Sequence, residues 1–269
     1  MRLFSKYKVP YLTFDLLEET GLVKHGFSTR FGGVSSGHLS SMNLGFLKGD
    51  DPDRVNENYR RMGRALGIKP EQMVMSVLEH GTVVKRVSAD DAGKGITCPS
   101  DLSGCDGLIT NAPGLALVCR YADCIPLFFL DPVKMAIGLS HSGWRGTAGK
   151  MACATVKAMT QAFGSDPVDI LACIGPGICR DCFEVGAEVA EIFASAFPGS
   201  DPELIKRRGD GKYLVDLWGF NALAMKEAGI RDDHLEISQL CTCCNPDIFF
   251  SHRVTGGKRG DMAGFLMLG

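Results

Sequence analysis

The sequence predicts a mixed α/β protein of the α+β kind, and three observations carry that prediction. Short apolar runs bounded by turn residues recur along the chain, among them Ile125-Pro-Leu-Phe-Phe-Leu130 before Asp131-Pro132. Other stretches place apolar residues three and four apart, as at Val55, Tyr59, Met62 and Leu66, which is the spacing of one helix face. Finally, the runs 125–130 and 135–140 are joined only by Asp131 to Lys134, which makes them antiparallel neighbours. Cys124, just before the first run, then lies close to His141, just after the second.

In chain order, Gly21-Leu-Val-Lys-His-Gly-Phe-Ser-Thr29 reads as a strand, followed by a glycine-rich loop from Arg30 to Gly37 that matches neither a Walker loop nor a dinucleotide turn. His25 and His38 read as surface or core histidines. A helix is expected from Pro52 to Leu66, capped by the aspartates around Asp50 to Asp53, ended by Gly67, and carrying Asn58 and Arg60 on its flanks. Met73 to Leu78 is an apolar run interrupted by Glu79-His-Gly-Thr82; 88–105 is a loop; 106–110 and 114–119 are strands. A helix follows over 147–163, with Gly143-Trp-Arg-Gly146 at its N-terminus as a candidate anion turn. The strand 169–174 and helices over 183–197 and 216–229 come next, and the runs 248–250 and 262–268 are the last strands.

At 269 residues the chain can bury a large core, as one domain or as two tightly packed halves. A net charge of −2 with 22% charged residues excludes a nucleic-acid-binding or anionic-membrane surface. From Met1 the chain runs into polar residues and Pro10 without an apolar stretch of signal or membrane-span length, so a cytoplasmic location is expected. Its 11 cysteines are accordingly read as reduced thiols, with Cys119, Cys153 and Cys173 serving as small hydrophobes in apolar runs. Cys179/Cys182 reads as a Cys-x-x-Cys pair, and Cys241, Cys243 and Cys244 as a group without a matching pair, so a second metal site is not expected there.

His80, Cys124 and His141 all fall at strand ends. Two imidazoles and a thiolate make a three-donor set with one open position, which suits zinc acting on water or substrate. Affinity alone also admits copper, which this donor set does not demand. Asp123 is a candidate to orient an imidazole or to move a proton.

At these residues the chain resembles the YfiH/YlmD family, also called the laccase-domain or polyphenol oxidase family. The resemblance runs through Gly26-Phe-Ser-Thr-Arg-Phe-Gly-Gly-Val-Ser35, Asn43-Leu-Gly45, Asn58-Tyr-Arg60, His80-Gly81, Tyr121-Ala-Asp-Cys-Ile-Pro126, His141-Ser-Gly-Trp-Arg-Gly-Thr147 and Phe249-Phe-Ser-His-Arg253. It implies a single domain over residues 1–269, with mixed sheets packed between outer helices, and His80, Cys124 and His141 as zinc ligands. It also implies a purine nucleoside phosphorylase acting on adenosine, inosine and methylthioadenosine, with adenosine deamination as a further activity. The partners are then a nucleoside and phosphate. Arg60 and Arg145 are the phosphate candidates, Asn43 and Arg253 further substrate-binding candidates, and Asp123 the candidate for proton transfer.

Two positions depart from the family pattern: Leu78 stands where glutamine is usual, and Asp261 where arginine is usual, with Arg259 nearby as a replacement cation. Two other chemistries compete. Copper oxidation of phenols needs many histidines in His-x-His pairs, whereas this chain has 6 histidines and no such pair. A cysteine hydrolase, for instance one cleaving amide bonds in peptidoglycan precursors, would use Cys124 as nucleophile and His141 as base and would leave His80 unneeded.

Overall fold

Asp131 makes the tight turn at the centre of the molecule. Its Oδ1 accepts the backbone N–H groups of Val133 and Lys134, both at 2.9 Å, and Met135 completes the reversal at φ 48°. The two strands it joins pair antiparallel in the register Ile125↔Ser142 and Pro126↔His141, as expected. Cys124 is thereby fixed at the same sheet end as His141, which is the penultimate residue of its strand.

The computed structural model describes residues 1–269. In chain order the first strands are β1 (Arg2–Lys6), β2 (Val9–Thr13), β3 (Val23–Ser28), β4 (Met73–Met75), β5 (Val84–Arg86), β6 (Gly107–Thr110) and β7 (Ala116–Tyr121). They continue as β8 (Ile125–Asp131), β9 (Ala136–Ser142), β10 (Leu171–Ile174), β11 (Glu184–Val185), β12 (Ile205–Arg207), β13 (Tyr213–Val215), β14 (Leu235–Ile237) and β15 (Met262–Leu268). The helices are α1 (Asp15–Glu18), α2 (Pro52–Leu66), α3 (Trp144–Ala148), α4 (Met151–Phe163), α5 (Ala187–Ala196), α6 (Leu217–Glu227) and α7 (His252–Thr255). One six-stranded sheet runs β1-β2-β3-β15-β7-β4, a second runs β14-β10-β8-β9-β6-β5, and β11-β13-β12 form a small third sheet.

Alternation along the central strands sets the layers. Leu117, Cys119 and Tyr121 of β7 and Leu266 and Leu268 of β15 meet Phe128 and Leu130 of β8 in a core between the two large sheets. The intervening Ala116, Val118, Phe265 and Met267 face outward and are covered by Val55, Tyr59, Met62 and Ala65 of α2. On the second sheet, Ile125, Leu127 and Phe129 face outward under Met151, Val156 and Met159 of α4 and Phe220 and Met225 of α6. The result is the expected arrangement of mixed sheets between outer helices. No helix is long and apolar enough to cross a membrane.

Several local expectations are corrected. The helix expected over 147–163 starts at Trp144 and breaks at Gly149-Lys150, where Lys150 takes φ 59°, so α3 and α4 are separate. Residues 183–186 form a turn and β11 before the helix begins at Ala187, and 248–250 is irregular chain whose Phe249 and Phe250 nevertheless fill the inter-sheet core. Asn58 is not on a flank of α2 but fully buried, donating to Ser35 Oγ and to the carbonyls of Ser41 and Asn43. The lack of period-2 alternation in the exposed β1 and the three-residue length of β12, β13 and β14 hide these strands from periodicity.

His25 is a buried histidine of structural type. Its Nε2 accepts the Phe14 N–H at 2.9 Å, and burial lowers its pKa from 6.5 to about 4. The unfolded chain therefore binds a proton between these values that the folded chain refuses, and stability is fully present above pH 6.5 and lost as pH falls toward 4. Denaturant titrations at successive pH values should show a loss on the order of 3 kcal/mol across that window from this group, reduced in His25→Gln. An unchanged pH slope in the variant would remove the assignment.

Candidate metal centre and active site

Asp106, immediately before β6, is 1% exposed and spends its carboxylate on four donors. Oδ1 accepts the His80 N–H at 2.9 Å, and Oδ2 accepts those of Glu79 and Gly81 at 3.2 and 2.8 Å. Oδ1 also lies 3.0 Å from His141 Nδ1. Burial raises this carboxyl, but His141 and the donated N–H groups outweigh it and hold it below the usual range. The Glu79–Gly81 turn is bent around this anion, with His80 at φ 61°. With Nδ1 of His141 committed to Asp106, Nε2 is left to face a metal.

Donor atoms of His80, Cys124 and His141 all lie within 4.8 Å of one another. The two imidazoles meet edge to face with centroids 4.9 Å apart. Burial pushes the Cys124 thiol up, yet the adjacent His141 and His80 bring it down to about 6, and His141 rises to about 9 beside the thiolate and Asp106 despite its own burial. A thiolate and two rings held this close fit a divalent ion that accepts nitrogen and sulfur. Gly143 forms the floor: a Cβ there would stand 3.1 Å from the His80 ring and 3.3 Å from Cys124 Sγ. His80 is exposed, so the centre opens outward.

It opens on a cavity of about 380 Å³ lined by Trp144, Phe183, Ile178 and Leu217 together with Asp123, Arg145, His252, Arg253 and Arg259. Cavities of about 460 Å³ occur elsewhere, but neither is lined by a histidine beside a cysteine ligand. Asp123 sits at φ 81° with its oxygens accepting from Thr242 Oγ1 (2.6 Å), Ser251 Oγ (3.1 Å) and the Arg253 N–H (2.7 Å). The imidazole-orienting role expected of Asp123 therefore falls to Asp106. Arg145 lies over the Trp144 ring at 4.2 Å, and Arg253 donates to the carbonyls of Cys182 and Glu184.

Two expected substrate residues do not line this cavity. Arg60 projects from the outer face of α2, paired with Glu57 at 2.6 Å. Asn43 is fully buried in a turn, bonded to Gly45, Asp50 and the Asp261 N–H.

Residues 24–269 match the family described as multi-copper polyphenol oxidoreductase laccase. The chain belongs to this family. Among relatives, it is 35% identical over 242 residues to "Purine nucleoside phosphorylase YlmD" of Geobacillus stearothermophilus, covering 90% of this chain and 88% of that one. It is 32% identical over 258 residues to a "Purine nucleoside phosphorylase" of Bacteroides thetaiotaomicron, covering 96% of each. The solved structure of the Geobacillus YlmD superposes with TM-score 0.92 at 31% identity, over 99% of this chain and 98% of that one. The Bacillus licheniformis hypothetical protein YfiH also gives 0.92, at 31% identity over 98% and 97%.

Against the laccase-domain family pattern, Leu78 packs on the inter-sheet core and borders a second, smaller cavity of about 160 Å³. That cavity shares His80, Cys124 and Arg259 with the first and adds Lys48, Arg120 and Asp261. Asp261 pairs with Arg259, with Arg120 at 3.3 Å and with Lys48 at 3.6 Å, so one carboxylate faces three cations. Burial, then the neighbouring Arg259 and Arg120 charges, lowers Lys48 to about 8. Buried Nε atoms of Arg120 and Arg259 have no partner. Sequence reasoning missed Lys48 and Arg120, because cations in separate segments give no local signal, and it missed the role of Asp106, whose clue was a charge directly ahead of an apolar strand.

Asp106→Asn replaces an acceptor of four bonds by a group that turns one donor toward the backbone N–H groups. Metal affinity, measured by competition with a chelator, should fall about 10–100-fold. Gly143→Ala should weaken it in the same direction. Wild-type affinity in Asp106→Asn would show that the carboxylate does not organise the centre.

Proposed function

We propose that this protein is a zinc-dependent purine nucleoside phosphorylase acting on adenosine, inosine and methylthioadenosine. The observation that carries the reading is the meeting, at one three-donor centre, of a cavity with aromatic walls and a cation cluster short of negative charge. The printed names of the relatives support it. Zinc, when bound by His80, Cys124 and His141, supplies a redox-inert Lewis acid with one open position.

The residues divide the reaction between them. Trp144 and Phe183 offer flat faces to a purine, and Ile178 and Leu217 an apolar neighbourhood for a 5′-methylthio group. Arg259, Lys48 and Arg120 attract phosphate from one side and Arg145 from the other, in place of Arg60. A phosphate oxygen bonds to C1′ as the C1′–N bond breaks, and the electron pair leaves with the base, which takes up a proton. Asp123, fixed by three hydrogen bonds, stabilises the positive charge that grows on the sugar. The same carboxylate is our candidate for proton movement in adenosine deamination, in which water replaces the amine and ammonia leaves.

Copper oxidation of phenols is not favoured by the donor set, because the histidine-containing group has two imidazoles and no second such group accompanies it.

The test is release of base from inosine and adenosine with and without phosphate. Phosphate-dependent release that yields the sugar 1-phosphate and is lost in His80→Ala supports the reading. Amide hydrolysis that survives His80→Ala but disappears in Cys124→Ala would replace it with a cysteine hydrolase. Arg259→Ala should raise KM for phosphate and lower kcat/KM about 10–100-fold, the loss of one or two charge-assisted bonds. Arg60→Ala, which removes an exposed pair on α2, should change neither by more than about twofold.

A further inference from the structure

Behind the cavity wall lies a second group of thiols that the proposed reaction does not use. Cys179 and Cys182 stand in the loop after β10, and Cys241 and Cys244 in the loop after β14. Their four sulfurs all lie within 4.8 Å of one another, with Cys182 to Cys244 at 3.4 Å and Cys179 to Cys244 at 3.9 Å. All four are free thiols. The expectation that Cys179/Cys182 lacks a matching pair is corrected here: Cys241 and Cys244 are themselves separated by two residues, Thr242 and Cys243, and Cys243 is the extra thiol.

We propose that Cys179, Cys182, Cys241 and Cys244 bind a structural zinc ion that fastens these two loops together. Two Cys-x-x-Cys pairs supply a closed tetrahedral set, in contrast to the open set at His80. Zn–S bonds of about 2.3 Å separate the sulfurs of a tetrahedron by about 3.8 Å, and the observed spacing needs only small side-chain adjustment to reach it. The backbone already provides for thiolate charge: the N–H groups of Cys179 and Cys244 both point at Cys241 Sγ, each at 3.3 Å. Arg253 adds a cation against the Cys182 carbonyl at 2.9 Å.

Few backbone bonds join the two loops directly to each other: Gly177 exchanges two with Leu240 and Thr242. Their direct pairing is an isolated bridge between Gly177 and Cys241, outside any named strand. Four sulfurs converge where a disulfide would use two, and a fastening that undergoes no redox change suits zinc better than iron. The ion would also reach the cavity indirectly. Thr242, between two of the ligands, donates to Asp123 Oδ1 at 2.6 Å, the Ile178 N–H donates to the Asp123 carbonyl at 2.8 Å, and Arg253 hangs from Cys182. Zinc at the four cysteines thus acts as a positioning device for Asp123 and Arg253.

Protein purified under reducing conditions without added metal should contain about two zinc ions per chain, one for each donor set. The His80→Ala/Cys124→Ala variant, which leaves the four-cysteine group untouched, should keep about one. Loaded with cobalt instead, that variant should show the intense sulfur-to-cobalt absorption of a four-thiolate tetrahedral site. Cys179→Ser/Cys244→Ser should lose one zinc and melt at a lower temperature, and Cys243→Ser should lose none. The proposal is overturned by a His80→Ala/Cys124→Ala protein without zinc, by iron in place of zinc, or by a Cys182–Cys244 disulfide in protein kept reduced. Unchanged zinc content in Cys179→Ser/Cys244→Ser overturns it as well.

Discussion

The Asp106 carboxylate is the constraint on which the site depends. A buried anion costs several kcal/mol unless its lone pairs are used, and here three consecutive backbone N–H groups and one imidazole use them. The same bonds bend the Glu79–Gly81 turn, aim the His80 ring and fix the tautomer of His141. Removing the anion would therefore undo two ligands at once. Because Gly107 pairs with Ser140, Asp106 is tied to β9 by the sheet itself, and the geometry of the centre is inherited from a strand register rather than from a flexible loop.

Two of the seven non-glycine residues with positive φ stand at the same place. His80 and Asp123 both hold positive φ without being glycine, and both stand in turns that lead into or between strands of the core. Such conformations cost about 1–3 kcal/mol each and persist only where surrounding bonds overdetermine them. Asp106 does this for His80. For Asp123 the work is shared by Thr242, Ser251 and the N–H groups of Ile178 and Arg253, which come from three distant stretches of chain. The cavity is thus a junction of the two large sheets with the loops after β10 and β14.

Much of this was legible in the sequence, for physical reasons that differ by element. The β8–β9 hairpin could be read because two apolar runs flank a turn built by Asp131, and their register then brings Cys124 to His141. The α2 helix was legible through its aspartate cap, its apolar spacing and Gly67. What could not be read are features that arise only from long-range packing. Arg60 and Asn43 sit in family-like motifs, yet one is solvated and the other closes a turn. Lys48, Arg120 and Arg259 become a cluster only when the loop before α2, β7 and the segment before β15 converge on Asp261. The four-cysteine group joins residues some sixty positions apart, as the 62-residue separation of Cys182 and Cys244 shows, but its two Cys-x-x-Cys pairs stand in the sequence and only their meeting required the fold.

The place of β15 carries a further consequence. Met262 to Leu268 lie in the middle of the first sheet, with β3 on one side and β7 on the other. During synthesis, a ribosome exposes β3 more than two hundred residues before it exposes the strand that belongs beside it. Until then the edges of β3 and β7 that will face it have no partner strand. That sheet can therefore be completed only after β15 has been synthesised, and the basic segment around Arg259 arrives with it.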